Sequence, residues 1–158
     1  MSLPTVIDGP VTQVDSTPDA KKYGLVRWEY DATYGWREWI YVKNVEGASS
    51  FAAGTVVMSD TTETTPGKGL ICATSTSVHR VIGVAQHTIA AGSAGWIVKR
   101  GLCLVVADTG GFTADTGIVP GNAVAGTADD VGGPTAVAFG LALATTTATN
   151  TGICRIWC

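Results

Sequence analysis

The chain has 158 residues, of which 15% are charged and 46% hydrophobic, with a formal net charge of -3. That length suffices for one domain that buries roughly two thirds of its unfolded surface without metals or disulfides. No long basic stripe is present, which removes the electrostatic footprint of nucleic-acid binding. No stretch approaches the roughly 18 apolar residues of a membrane span, and MSLPTVIDGP lacks the basic and apolar regions of a signal peptide. The expectation is a soluble chain made in the cytoplasm, with no membrane partner.

Residues 1–24 contain Pro4, Pro10 and Pro18, which block helix and sheet pairing locally and favour extended backbone. They read as an extended N-terminal arm. Leu3, Val6, Ile7, Val11 and Val14 give it more apolar content than a disordered tail, so it is expected to order against a partner.

A β domain is predicted over 25–158, opening with an aromatic hairpin over 25–45 whose turn is Asp31 to Gly35. Period-2 geometry places Trp28 with Tyr30 on one face of the first strand. On the second strand it places Trp39 with Tyr41 on one face, opposite Glu38 and Ile40. Trp36, Arg27 and Arg37 lie in the same segment. Three readings compete: a sugar-stacking platform, a protein interface rich in aromatics and Arg, or core. Part core and part interface is favoured, because a two-stranded element cannot bury this many aromatics on one face. The candidate partner or subunit interface is therefore Leu3, Val6, Ile7, Val11 and Val14 with Arg27, Trp28, Tyr30, Trp36, Arg37, Trp39 and Tyr41.

Beyond Glu46 the sequence is rich in Gly, Ala, Thr and Val, with turn signals every eight to twelve residues, as in a β-sandwich or barrel-like domain with little helix. Ser59 to Gly69 reads as an exposed Thr-rich loop. An internal duplicated β motif is visible at 50–101 and 118–158. Gly83-Val84-Ala85 is matched by Gly140-Leu141-Ala142, and Gly95-Trp96-Ile97 by Gly152-Ile153-Cys154, both 57 residues on. Ala53-Gly54-Thr55 is matched by Pro120-Gly121-Asn122, 67 residues on, which assigns about ten extra residues of the first copy to the Thr-rich loop.

Candidates for chemistry are sparse. His79 and His87 flank one strand without a paired carboxylate, and no hydrolase, metalloprotease or nucleotide-binding motif is present. Asp129-Asp130, with Asp108 and Asp115, offers oxygen ligands in no known calcium-loop spacing and reads as a solvated turn. Cys72, Cys103, Cys154 and Cys158 lack zinc or redox spacing and read as buried free thiols. The chain is expected to have no enzyme activity, no cofactor and no metal.

The segments AAGTVVMSD, VIGVAQHTIAAGSAGWIVKRG, VPGNAV and AFGLALATTT, in that order across residues 50–158, resemble the small β-domain capsid decoration (cement) proteins of tailed bacteriophages. The resemblance implies a structural virion protein on the outer capsid surface that bridges capsomers non-covalently. Its implied partners are the major capsid protein and further copies of itself, a trimer by preference. It also implies that an arm such as residues 2 to 24 lies on capsid subunits. The alternative is a carbohydrate-binding β module on a virion or cell surface, using Trp28, Tyr30, Trp36, Trp39 and Tyr41.

Overall fold

The computed structural model describes residues 9–60, 62, 67–74, 78–131 and 137–158. Leu3, Val6 and Ile7 of the candidate interface, and much of the Thr-rich segment, lie outside these residues. The chain is all-β, as expected. Among the described residues the eleven strands are β1 (Val14–Asp15), β2 (Val26–Asp31), β3 (Gly35–Asn44), β4 (Val56–Ser59), β5 (Lys68–Ile71), β6 (Val81–Ala85), β7 (Ala94–Val106), β8 (Gly117–Pro120), β9 (Ala128–Asp130), β10 (Gly140–Ala142) and β11 (Thr151–Trp157). Helical structure among them is confined to two 3-10 turns, Ala20–Lys22 and Val78–Arg80.

The strands close two successive rings. In the first, β3 pairs β5 in parallel, β5 pairs β4, β4 pairs β6, β6 pairs β7, and β7 returns to β3. In the second, the later half of β7 pairs β11, then β10, β8 and β9 follow. A parallel bridge from Ala128 to Ala107, just past β7, completes the circuit. Closure removes sheet edges and leaves an interior that side chains can fill. β7, at 13 residues, therefore ends one ring and begins the next. It changes rings near Gly101, whose φ of +116° and whose approach to the Trp36 carbonyl oxygen leave no room for a side chain.

Strand pairing shows the duplication residue by residue. Val42–Gly95, Tyr41–Trp96, Ile40–Ile97 and Trp39–Val98 in the first ring are matched by Val105–Gly152, Leu104–Ile153, Cys103–Cys154 and Leu102–Arg155 in the second. Val84–Val98 and Ala85–Ile97 correspond to Leu141–Arg155 and Ala142–Cys154. The buried residues Val42, Phe51, Val57, Ala85 and Ile97 correspond to Val105, Phe112, Ile118, Ala142 and Cys154, none more than 2% exposed. Each set fills one ring.

These registers correct the sequence-based repeat in two respects. The counterpart of β4 is β8, because Val57–Gly83 matches Ile118–Gly140. Phe51-Ala52-Ala53-Gly54-Thr55 thus corresponds to Phe112-Thr113-Ala114-Asp115-Thr116, and Gly54 does not correspond to Gly121. Identity is masked there because Asp115 adopts the positive φ (62°) that Gly54 supplies (85°), as Thr149 (58°) does for Gly92 (78°). The second correction concerns length. No ten-residue excess sits in the Thr-rich loop; the second copy is two residues shorter in each of three connections. These are Asn44 to Phe51 against Ala107 to Phe112, Val57 to Ile71 against Ile118 to Asp130, and Ile71 to Gly83 against Asp130 to Gly140. Because β7 is shared, the second copy also begins in Leu102–Ala107, ahead of position 118.

The described part of the N-terminal arm is extended but lies along its own domain. β1 pairs β7 through Val14–Gly95 and Asp15–Ala94, and the Tyr41 hydroxyl donates to the Asp15 carboxylate. Arg27 donates to the Gly9 carbonyl at 2.9 Å, and Val11 packs against the core. Asp19 accepts from the Lys21 amide at 3.0 Å and caps the first 3-10 turn. The expectation that residues 2 to 24 as a whole reach a partner is therefore revised for 9–24, whose backbone and side-chain bonds are made within the chain. Removing residues 1–24 should lower the melting temperature by several degrees, since a loss of about 1 kcal/mol shifts a domain of this size by roughly 2–4 °C. Thermal unfolding followed by circular dichroism checks this; an unchanged melt would show that the arm contributes nothing to the fold.

Candidate functional site

The hairpin of β2 and β3 is the chemically distinctive feature of the surface. Its register, Val26–Ile40, Arg27–Trp39, Trp28–Glu38, Glu29–Arg37 and Tyr30–Trp36, sorts the side chains onto two faces. Asp31 fixes the turn by accepting from the amides of Thr33 (2.8 Å) and Tyr34 (3.0 Å), bonds that hold its carboxyl below the usual range.

One face carries Val26, Trp28, Tyr30 and Trp36, exposed by 44%, 56%, 66% and 64%. Tyr30 and Trp36 meet edge to face, with ring centroids 5.6 Å apart at 64°. This is a contiguous apolar surface rather than scattered single residues, the kind of patch that marks an interaction site.

The other face is internal, and there the sequence-based assignment is corrected. Trp39 and Tyr41 are each 2% exposed, and Arg37 is 6% exposed. Tyr41 packs edge-on against Trp96 at 5.3 Å, and its phenol pKa is pushed up by burial first and by Asp15 second. The Arg37 guanidinium lies between the rings of Tyr34 (4.8 Å) and Trp39 (4.6 Å) and pairs with Asp31 at 2.8 Å. Such stacking and pairing is how a cation is accommodated in a largely apolar interior. Arg37, Trp39 and Tyr41 are therefore core residues. Arg27 is intermediate: it stacks on Trp96 at 4.4 Å and pairs with Glu29 at 2.8 Å. Val14 is partly exposed on β1, and Val11 is partly buried.

Beside Trp28 on the aromatic face lies Glu38, 8% exposed, approached by Lys99 at 3.4 Å and Arg100 at 3.5 Å. This charged cluster bounds the patch where β3 meets β7. Period-2 reasoning found Trp28 and Tyr30 as a pair; that Trp36 joins them follows from register, which the turn length encodes.

The remaining candidates are structural. His79 is exposed on the second 3-10 turn, and His87 is half-buried beyond β6, its pKa pushed down by burial. Asp108 is fully buried, and its carboxylate accepts from the amides of Ala123 and Thr109, each at 2.8 Å. Asp130 accepts from the Thr113 amide (3.0 Å) and the Thr116 hydroxyl (3.1 Å). These two carboxylates organise loops. All four cysteines are free, with Cys72, Cys103 and Cys154 buried and Cys158 half-buried. Burial pushes the Cys154 and Cys158 thiols up to about 12, so neither is a nucleophile at neutral pH. Among the described residues no group of three or more His, Cys, Asp or Glu is placed to hold a metal ion, and no helix is long and apolar enough to cross a membrane.

No family model matches the chain, and no curated protein matches it. Among solved structures it is similar to the head fiber gp8.5 N base of bacteriophage phi29, with a TM-score of 0.55 and 16% identity over 75% of this chain and 92% of that one. The two share a fold.

Proposed function

We propose that this chain is a structural protein of a phage virion that binds the outer capsid surface through the major capsid protein and stabilises the shell without covalent chemistry. The observation that carries the reading is the shared fold with the base of a phage head fiber. The exposed face of Trp28, Tyr30 and Trp36 supports it, since large aromatics anchor protein interfaces. In this reading the chain is not an enzyme, is made in the host cytoplasm and acts on the virion. Repetition over a symmetric shell supplies avidity, so each contact can be modest.

Purified protein incubated with undecorated capsid shells should co-sediment with them and raise their resistance to heat. Trp36→Ala, at an exposed position, should weaken binding by about tenfold or more, the loss typical of one anchoring aromatic. Failure of the unmodified protein to bind shells would overturn the proposal. The carbohydrate reading rests on the same aromatics, but the edge-to-face contact of Tyr30 and Trp36 breaks the flat platform that sugar rings stack on. Glycan binding abolished in Trp36→Ala would favour that reading instead.

A further inference from the structure

Strand β2 leaves one edge open over its six residues among the described residues. It ends the strand order and, among the described residues, pairs only with β3. β2 pairs the half of β3 that extends ahead of the first ring, as β6 pairs the leading half of β7. The exposed apolar face of Trp28, Tyr30 and Trp36 thus lies on a sheet whose further strands are not supplied by the described chain.

The backbone is oriented to accept another strand. The Tyr41 amide donates to the Leu25 carbonyl at 2.9 Å. Antiparallel alternation then directs the backbone groups of Arg27 and Glu29 toward β3 and turns those of Val26, Trp28 and Tyr30 outward. We propose that the strand received is β2 of a second copy of this chain, the two running antiparallel about a two-fold axis at Trp28.

Charge selects both the partner and the register. A pairing that keeps the aromatics on one face puts a residue of β2 opposite itself at the axis. An axis at Arg27 places two cations together, and one at Glu29 places two carboxylates together. An axis at Trp28 sets Arg27 of each copy against Glu29 of the other, so the 2.8 Å pair within each chain becomes a square of alternating charges. Val26 then faces the other copy's Tyr30, and the two Trp28 residues face each other. The two aromatic faces merge into one, with a Trp36 at either end. This self-association does not rest on shell binding, and its test uses no shells.

Sedimentation equilibrium of the full chain up to about 100 μM, a range suited to a small interface, should show masses rising from one chain to two. Arg27→Glu alone and Glu29→Arg alone should each weaken association at least tenfold. An equimolar mixture of the two should restore it, because one variant then presents two acids opposite two bases; an internal role for the pair predicts no such restoration. Trp28→Lys, at a 56% exposed position, should remain folded and single-chained, which keeps the test decisive if Arg27→Glu does not fold. A single-chain mass throughout, a three-chain mass, or a mixture no tighter than its components would overturn the proposal.

Discussion

Phe51→Ala should destabilise the protein by about 3–5 kcal/mol, and Phe112→Ala by a similar amount, the range seen when a buried phenylalanine is truncated. The two occupy the same place in the two rings. Phe51 bridges Ile89, Phe112 bridges Thr146, and they are 0% and 2% exposed. Phe112 meets Thr146 where Phe51 meets Ile89, so truncating Phe112 gives up less apolar packing and its cost should fall toward the lower end. Both variants should still unfold in one transition in urea, because β7 belongs to both rings and neither can open without it. Two separated transitions, or a large cost at only one position, would show that the rings are energetically independent.

Asp108→Ala should cost about 3 kcal/mol, the scale of losing hydrogen bonds to a charged group and leaving buried amides without an acceptor. Burial alone would raise the Asp108 carboxyl. The amides of Ala123, Thr109, Asn122 and Val124 outweigh it, and the net displacement is downward. A carboxyl whose folded pKa lies below its unfolded value, about 3.9, contributes stability above that value. The contribution is lost as pH falls through the folded value. Acid should therefore weaken the fold from about pH 4 downward, and Asp108→Ala should flatten that limb while leaving the protein less stable at pH 7. Denaturant titrations at a series of pH values measure both; an unchanged acid limb would assign the sensitivity to Asp31 and Asp60, whose pKa values are also lowered, chiefly by the backbone amides of Thr33 and Thr62 respectively.

The all-β class and the existence of a repeat were legible in the sequence because both rest on local pattern: alternation, turn residues and the spacing of Gly83 to Gly140 and Gly95 to Gly152. The extent of the repeat was not. Its first strand is hidden in each copy, as the later half of an aromatic hairpin in one and of a continuous strand in the other. Asp115 and Thr149 stand where glycine stands in the first copy, and only backbone angles reveal the match. The site divided the same way. Alternation paired Trp28 with Tyr30, but the burial of Arg37, Trp39 and Tyr41 depends on Trp96 and Asp15, which lie far away in sequence. Apolar residues with prolines, such as Val11 and Val14, signal contact without saying whose surface they meet; for 9–24 it is the chain's own.

The shared strand also bears on how the chain is made. Synthesis runs from the N-terminus, and all strands of the first ring, the leading half of β7 included, precede Gly101. Once that ring has closed on the leading half of β7, the trailing half projects from a folded template as a ready edge. The remaining strands then add in a short circuit, β11 against β7, β10 against β11 and β8 against β10. Each ring closes over residues near one another in sequence, which limits the loop entropy that slows β proteins. A nascent chain that has emerged this far carries one finished ring and the seed of its twin.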